Sequence, residues 1–114
     1  MKLLRKDVLK WLRNLKSGRY KKGKDSLVSK NGTRFCCLGV WADQHGCKWN
    51  DNWKPLIPGT DKFVIGQGIG SLNYRLAFGL TQYEQWVLAD LNDDNRTWKQ
   101  VIDEIEQHIL PRAV

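Results

Sequence analysis

Apolar residues recur every three to four positions at the start of the chain. Leu4, Val8, Trp11, Leu12 and Leu15 share one face, while Lys2, Arg5, Lys6, Lys10 and Arg13 take the remaining circumference. This spacing predicts an amphipathic helix from Lys2 to Lys16. Ser17-Gly18 ends it, with Gly18 suited to a left-handed cap and Lys16 placed at the negative end of the helix dipole. The next segment, Arg19-Tyr20-Lys21-Lys22-Gly23-Lys24, reads as a basic loop without an acid. Ser26–Ser29 and Thr33–Cys36 flank Lys30-Asn31-Gly32, and Asn-Gly between short alternating runs predicts a two-stranded hairpin. From Cys37 to His45, Leu38, Trp41 and Ala42 fall on one side of a short helix that Gly46 can close.

Pro55, Pro58, Gly59 and several Asn and Asp residues make 47–62 an irregular loop, anchored by Trp49 and Trp53. Lys62–Ile65 reads as a short strand before Gly66, Gly68 and Gly70. Leu72, Leu76 and Phe78 then suggest a brief helical turn ending at Gly79. Thr81-x-x-Glu84 and Thr97-x-x-Gln100 each have the form of a capping box. The first opens a helix with Tyr83, Val87 and Leu91 on one face; the second opens one with Trp98, Val101, Ile102, Ile105 and Ile109 at helical spacing. The two meet at a polar loop, Asn92–Arg96. The expected architecture is α+β, a single domain over residues 1–114: N-terminal helix, β-hairpin, short helix, irregular middle loop and two C-terminal helices.

Composition fits this size. With 114 residues of which 41% are apolar, the chain can bury a core without staples. No apolar run exceeds four residues, and Met1 leads into charged residues, so neither a membrane span nor a secretory signal is expected. Three cysteines, Cys36, Cys37 and Cys47, with two adjacent, point away from a disulfide framework and to a reducing, intracellular setting. The formal charge of +7 is localised: residues 1–40 carry 12 Lys and Arg against Asp7 and Asp25, whereas residues 41–114 carry 7 against 10 acids. Such asymmetry favours a polyanionic partner.

The first candidate site is the basic segment, where Arg19, Tyr20, Lys22 and Lys24 stand beside Gly18 and Gly23. Cations and closely approaching backbone N–H groups hold phosphate, and an aromatic ring can stack a base. Gly66-x-Gly68-x-Gly70 departs from the dinucleotide fingerprint because Ser71 replaces the third glycine. It reads as a turning loop or a phosphate-facing nest, with Arg75 as the cation beside it. Cys36, Cys37, His45 and Cys47 lack metal-ligand spacing, so buried small hydrophobes are expected, with a Cys–His nucleophile as the alternative. Asp90, Asp93 and Asp94 cluster around Asn92 and superficially imitate the start of a calcium loop, but Asn95 replaces the turn glycine and Val101 the bidentate glutamate, so an interhelix loop is expected. His108 flanks the last apolar stripe. No metal, cofactor or catalytic residue is assigned.

Trp11, Ser17-Gly18-Arg19-Tyr20-x2-Gly23-Lys24 and Phe35-Cys36-Cys37-Leu38-Gly39-Val40 resemble the pattern of a family of small, largely uncharacterised bacteriophage proteins. Gly79-Leu80-Thr81, Leu91-Asn92-Asp93 and Trp98, Ile102 and Ile105 resemble that family's C-terminal region. Lys22 stands where the pattern has Gln, and Phe35 where it has Tyr. The resemblance implies a phage-encoded protein acting in the bacterial cytoplasm and, by analogy with small accessory phage proteins, countering host defence. Together with the basic segment, the expected function is a non-enzymatic module that sequesters a phosphorylated nucleotide through Arg19, Tyr20, Lys22, Lys24, Arg34, Trp41 and Arg75. The alternatives are a nucleic-acid-binding protein using the basic N-terminal third, an inhibitor of a host protein, and a small nucleotide-cleaving enzyme. No membrane partner is expected, and a homo-oligomer is left open.

Overall fold

The computed structural model describes residues 1–63, 72 and 74–114 of the chain. The glycine cluster Gly66–Gly70 and the end of the strand expected at Lys62–Ile65 lie outside the described residues.

Helix α1 (Arg5–Lys16) buries Val8, Trp11, Leu12 and Leu15, as its spacing requires, and turns out through Gly18 at φ +79°. The indole N–H of Trp11 donates to the carbonyl of Cys37 at 2.9 Å, and its ring tilts against Trp41 at 4.5 Å between centroids. Polar side chains reinforce this contact. Buried Asn14 donates to Gln44 at 3.0 Å, and Gln44 donates to the Asp7 carbonyl at 3.0 Å. The two ends of the chain meet beside α1, where the Val114 N–H donates to Leu3 and the Arg5 N–H donates to Val114.

The Asn31-Gly32 turn forms, with the Gly32 N–H donating to the Ser29 carbonyl at 2.8 Å. Its ladder is shorter than a hairpin signal suggests: the two arms share a single antiparallel bridge, Val28 with Phe35. The returning arm finds its regular partner in the basic segment instead. Strand β1 (Lys21–Lys22) runs parallel to β2 (Arg34–Phe35), with Lys21 opposite Arg34 and Lys22 opposite Phe35. Two local causes account for this. The Ser29 hydroxyl captures the N–H groups of Thr33 and Arg34, competing with ladder bonds. Gly23 lets its strand come close, since a Cβ there would lie 2.9 Å from that of Arg34.

Helix α2 (Cys37–Gln44) is capped by Cys36, whose sulfur accepts the Gly39 N–H at 3.3 Å, and is closed by Gly46 at φ +79°. Every residue from Cys37 to Ala42 is buried, not one face only, because α1, β2 and α4 surround the helix. The loop after it is irregular, as its prolines require, with isolated bridges Trp49–Pro55 and Leu56–Phe63. Its anchors are the expected tryptophans. Trp49 donates to Asp43 at 3.0 Å, and the Trp53 ring lies where a Cβ on Gly32 would be, 2.1 Å away. Helix α3 (Tyr74–Ala77) is one turn, followed by Phe78 and Gly79 at positive φ.

Helix α4 (Gln82–Asp94) begins with the expected capping box: the Thr81 hydroxyl accepts the Glu84 N–H at 3.1 Å, and Glu84 accepts the Thr81 N–H at 2.8 Å. Its buried face is Gln85, Leu88, Ala89 and Asn92, not Tyr83, Val87 and Leu91, and Tyr83 is 71% exposed. Two inward amides displace the apolar stripe. Gln85 accepts the Leu72 N–H at 3.0 Å, and Asn92 lies inside the helix rather than in the expected loop. Helix α5 (Lys99–Glu104) continues through a wide π turn, Ile105–Ile109, and a tight 3-10 turn, Leu110–Arg112. It buries Trp98, Val101, Ile105 and Ile109 as predicted. The second capping box is not made, because buried Trp98 holds the cap position and Thr97 accepts only the Lys99 N–H, at 3.4 Å. The fold is therefore α+β, with helices packed around buried α2 and one two-residue parallel sheet carrying the basic segment.

Candidate functional site

Between the end of α1, the basic strand and the start of α5 lies an open groove of about 470 Å³. Leu15, Tyr20 and Lys22 line one side; Arg96, Thr97, Trp98, Lys99, Ile102 and Asp103 line the other. Its size falls among small-molecule sites.

The first wall is fixed by backbone and by one tyrosine. Gly18 turns the chain away from α1 so that Tyr20 points back toward the core. The phenol donates to Asp43 at 2.7 Å, and the ring stands edge-on to Phe35 at 5.0 Å. Burial, then the hydrogen bond and charge of Asp43, push this phenol up to about 12, so it stays protonated. Lys22 is held by the β1–β2 pairing, its carbonyl accepts Arg34 at 3.1 Å, and the next residue, Gly23, donates to Phe35 at 2.7 Å.

The opposite wall is tied to the first by Asn92, which is fully buried. Its side-chain oxygen accepts the Cys37 N–H at 3.0 Å and the Trp98 indole N–H at 2.8 Å. Its amide donates to the Gly23 carbonyl at 2.9 Å and to Asp93 at 3.2 Å. Asp93 in turn accepts the N–H of Asp25, which sits at φ +67°. One amide thus joins the cap of α2, the groove tryptophan and the basic loop.

Among the described residues the lining carries Lys22, Arg96 and Lys99 against one carboxylate, Asp103. Lys99 and Asp103 pair at 3.6 Å on an exposed helix face, a weak contact in water. Among the described residues, neither Lys22 nor Arg96 has a carboxylate at ion-pairing distance. Leu15, Trp98, Ile102 and the edge of Tyr20 supply the apolar floor. The arrangement favours an anion attached to a flat or apolar body.

Of the residues expected to bind, Tyr20 and Lys22 meet here. Arg19 and Lys24 are exposed but do not line the groove, and Arg34 is turned onto the Lys22 carbonyl. Trp41 is corrected outright. It is 0% exposed, donates to the Ala77 carbonyl at 2.9 Å and packs on Trp11, so it is a core residue and reaches no ligand. Arg75 donates to the Pro58 carbonyl at 3.1 Å and takes no part in the groove. Arg96, Trp98, Lys99, Ile102 and Asp103 were not anticipated as site residues. Cations flanking the Trp98–Ile102 stripe were visible, but nothing local indicates that this stripe faces the basic strand.

The cysteines show a different character. Cys36 and Cys37 are buried, and burial pushes the thiol of Cys36 up to about 12 and that of Cys37 well above its usual range. Burial also raises Cys47, to about 11. These are the opposite of the electropositive, low-pKa surroundings that activate a nucleophilic thiolate. One nitrogen of the His45 ring is engaged: Nδ1 lies 2.7 Å from the Trp41 carbonyl and Phe78 stacks on the ring at 3.9 Å, while buried Nε2 has no hydrogen-bond partner among the described residues and lies 3.4 Å from the Asp7 carboxylate. Among the described residues, no group of three His, Cys, Asp or Glu side chains is placed to hold a metal ion. No helix among them is long and apolar enough to cross a membrane.

A family model for a domain of unknown function, DUF8296, matches residues 4–69. The match takes in α1, the basic strand, the Asn-Gly turn, α2 and the tryptophan-anchored loop, including one wall of the groove but not α5. Comparison with curated proteins and with solved structures found no match. As the matched residues make up more than half of its length, the chain belongs to the DUF8296 family.

Proposed function

We propose that the chain binds a phosphorylated, nucleotide-type ligand in this groove and sequesters it without cleaving it. Lys22, Arg96 and Lys99 take the phosphate, and the base rests on the apolar floor against Tyr20 and Trp98. The observation that carries this reading is a pair of cations, Lys22 and Arg96, that have no carboxylate partner among the described residues and line one groove of fitting size with apolar Leu15, Trp98 and Ile102. Charge-assisted contacts to phosphate outweigh neutral ones, and arginine adds a planar fork suited to its oxygens. Retention is favoured over cleavage because Cys36 and Cys37 are buried with raised thiols, the opposite of an activated nucleophile. The resemblance to small phage proteins supplies the setting: sequestration, in the bacterial cytoplasm, of a nucleotide used by the host as a defence signal.

The test is direct. Protein purified from a bacterial host is heated, the released small molecules are identified by mass spectrometry, and mono-, di- and cyclic nucleotides are titrated by calorimetry. At least one nucleotide should bind the native chain and lose affinity in a Lys22→Ala/Arg96→Ala variant. No heat from any nucleotide, or equal heat from the variant, would sink the proposal, and turnover of the bound nucleotide would replace sequestration with catalysis.

A further inference from the structure

Helix α1 presents a second charged surface, separate from the groove. Arg5, Lys6, Lys10, Arg13 and Lys16 are all exposed. At about 100° per residue they fall within roughly 140° of arc, and they extend along about 16 Å of helix. Among the described residues only Lys16 of these five has a carboxylate partner, Glu106 at 3.2 Å; Arg5, Lys6, Lys10 and Arg13 have none. Asp7, the one acid of the helix, lies outside the arc, 3.4 Å from His45, which caps the end of α2.

We propose that this face of α1 docks on the phosphate backbone of a nucleic-acid duplex, independently of base sequence. Three observations select that partner. The apolar side of the helix is spent on the core, with Val8, Trp11, Leu12 and Leu15 at most 6% exposed, so nothing remains to enter a bilayer as an amphipathic anchor must. The arc holds no aromatic residue, so it offers no platform for stacking the bases of a single strand. Its only apolar member is half-buried Leu9, which leaves charge as the means of recognition.

The experiment measures binding of the full chain to a fluorescent duplex of about 20 base pairs by anisotropy, at 50 and 200 mM salt. Three to four phosphate contacts should weaken binding roughly 40- to 150-fold across that range. Lys6→Glu/Lys10→Glu/Arg13→Glu should lose at least about tenfold at 50 mM salt while melting near the native temperature, since all three side chains are exposed. Should the reversed variant fold poorly, Lys6→Gln/Lys10→Gln/Arg13→Gln tests the same contacts with less repulsion. Native-like affinity in the folded variant, a salt slope near zero, or equal affinity for poly-glutamate of matched charge would overturn the proposal. Arg96→Ala/Lys99→Ala should leave duplex binding intact, so this surface and the groove succeed or fail separately.

Discussion

The indole N–H of Trp98 donates to Asn92 at 2.8 Å, and the same oxygen accepts the Cys37 N–H at 3.0 Å. A single buried acceptor therefore satisfies two donors from two helices, while its amide satisfies the Gly23 carbonyl. Asn92→Ala would strand three buried or half-buried polar groups, each costing about 1–3 kcal/mol. The expected loss is about 3 kcal/mol or more, a fall of roughly 10 °C or more in melting temperature. Asn92→Asp keeps both acceptor bonds but loses the amide donor and buries a charge beside Asp93, so it too should destabilise. Thermal and urea melts of the two variants check this; a native-like melt for Asn92→Ala would show that the network contributes little.

Groove cations and the core tryptophan Trp41 should separate cleanly in binding experiments. Replacing Lys22, Arg96 or Lys99 with Ala should cost about 1.5–3 kcal/mol of affinity for a phosphorylated ligand, roughly 10- to 150-fold, with little change in melting. Trp41→Ala should instead cost about 3–5 kcal/mol of stability. Any Trp41→Ala protein that folds should bind as tightly as native. Calorimetry alongside melting curves distinguishes the two effects, and Lys24→Ala serves as an exposed cation outside the groove.

Two glycines should respond very differently to the same change. A Cβ on Gly39 would lie 2.0 Å from the Leu27 carbonyl oxygen, a backbone atom that cannot yield without moving the chain before the Asn-Gly turn. Gly39→Ala should cost about 3 kcal/mol or more, at or beyond the upper end for overpacking. Gly18 has open space around it and only its φ of +79° to defend, so Gly18→Ala should cost about 1–2 kcal/mol. Urea denaturation of both variants gives the comparison; equal costs would contradict the close packing of α2 against residue 27.

Acid stability should depend on Glu84. Burial works to raise this carboxyl, but hydrogen bonds from the Arg112 guanidinium and from Thr81 together outweigh it and hold it below the usual glutamate range. A depressed carboxyl contributes stability that is present above its unfolded pKa, about 4.3, and is lost as pH falls through the folded value. Melting temperatures should therefore decline below about pH 4.3, and Glu84→Gln should flatten that part of the curve while lowering stability at neutral pH. A pH series of melts on both proteins provides the check.

What the sequence made legible was what local chemistry decides. The apolar spacing of α1, the left-handed Gly18, the Thr81–Glu84 box and the burial of Val101, Ile105 and Ile109 all depend on residues within a few turns. What it concealed depends on partners far along the chain. The returning arm of the turn pairs with Lys21–Lys22 because Gly23 can approach Arg34, and no local pattern records that approach. Asn92 sits among aspartates and looks like loop, yet two distant groups, the Cys37 N–H and the Gly23 carbonyl, as well as the nearby Trp98 indole, need its amide. Trp41 was as compatible with a ligand platform as with a core, and encirclement of α2 decided it. Half of the groove was invisible for the same reason, since Arg96 and Lys99 meet Lys22 only after α5 docks.

The two-residue parallel sheet has a consequence for solubility. Among the described residues β1 pairs with β2 on one side only, which makes it an edge strand, and an unpaired edge is a template for another chain. Here the edge consists of two lysines, so a second copy approaching it in register would set ammonium groups against ammonium groups. Like charges on the edge oppose self-pairing of the sheet, and replacing both lysines with valine would remove a groove cation and that repulsion in one step.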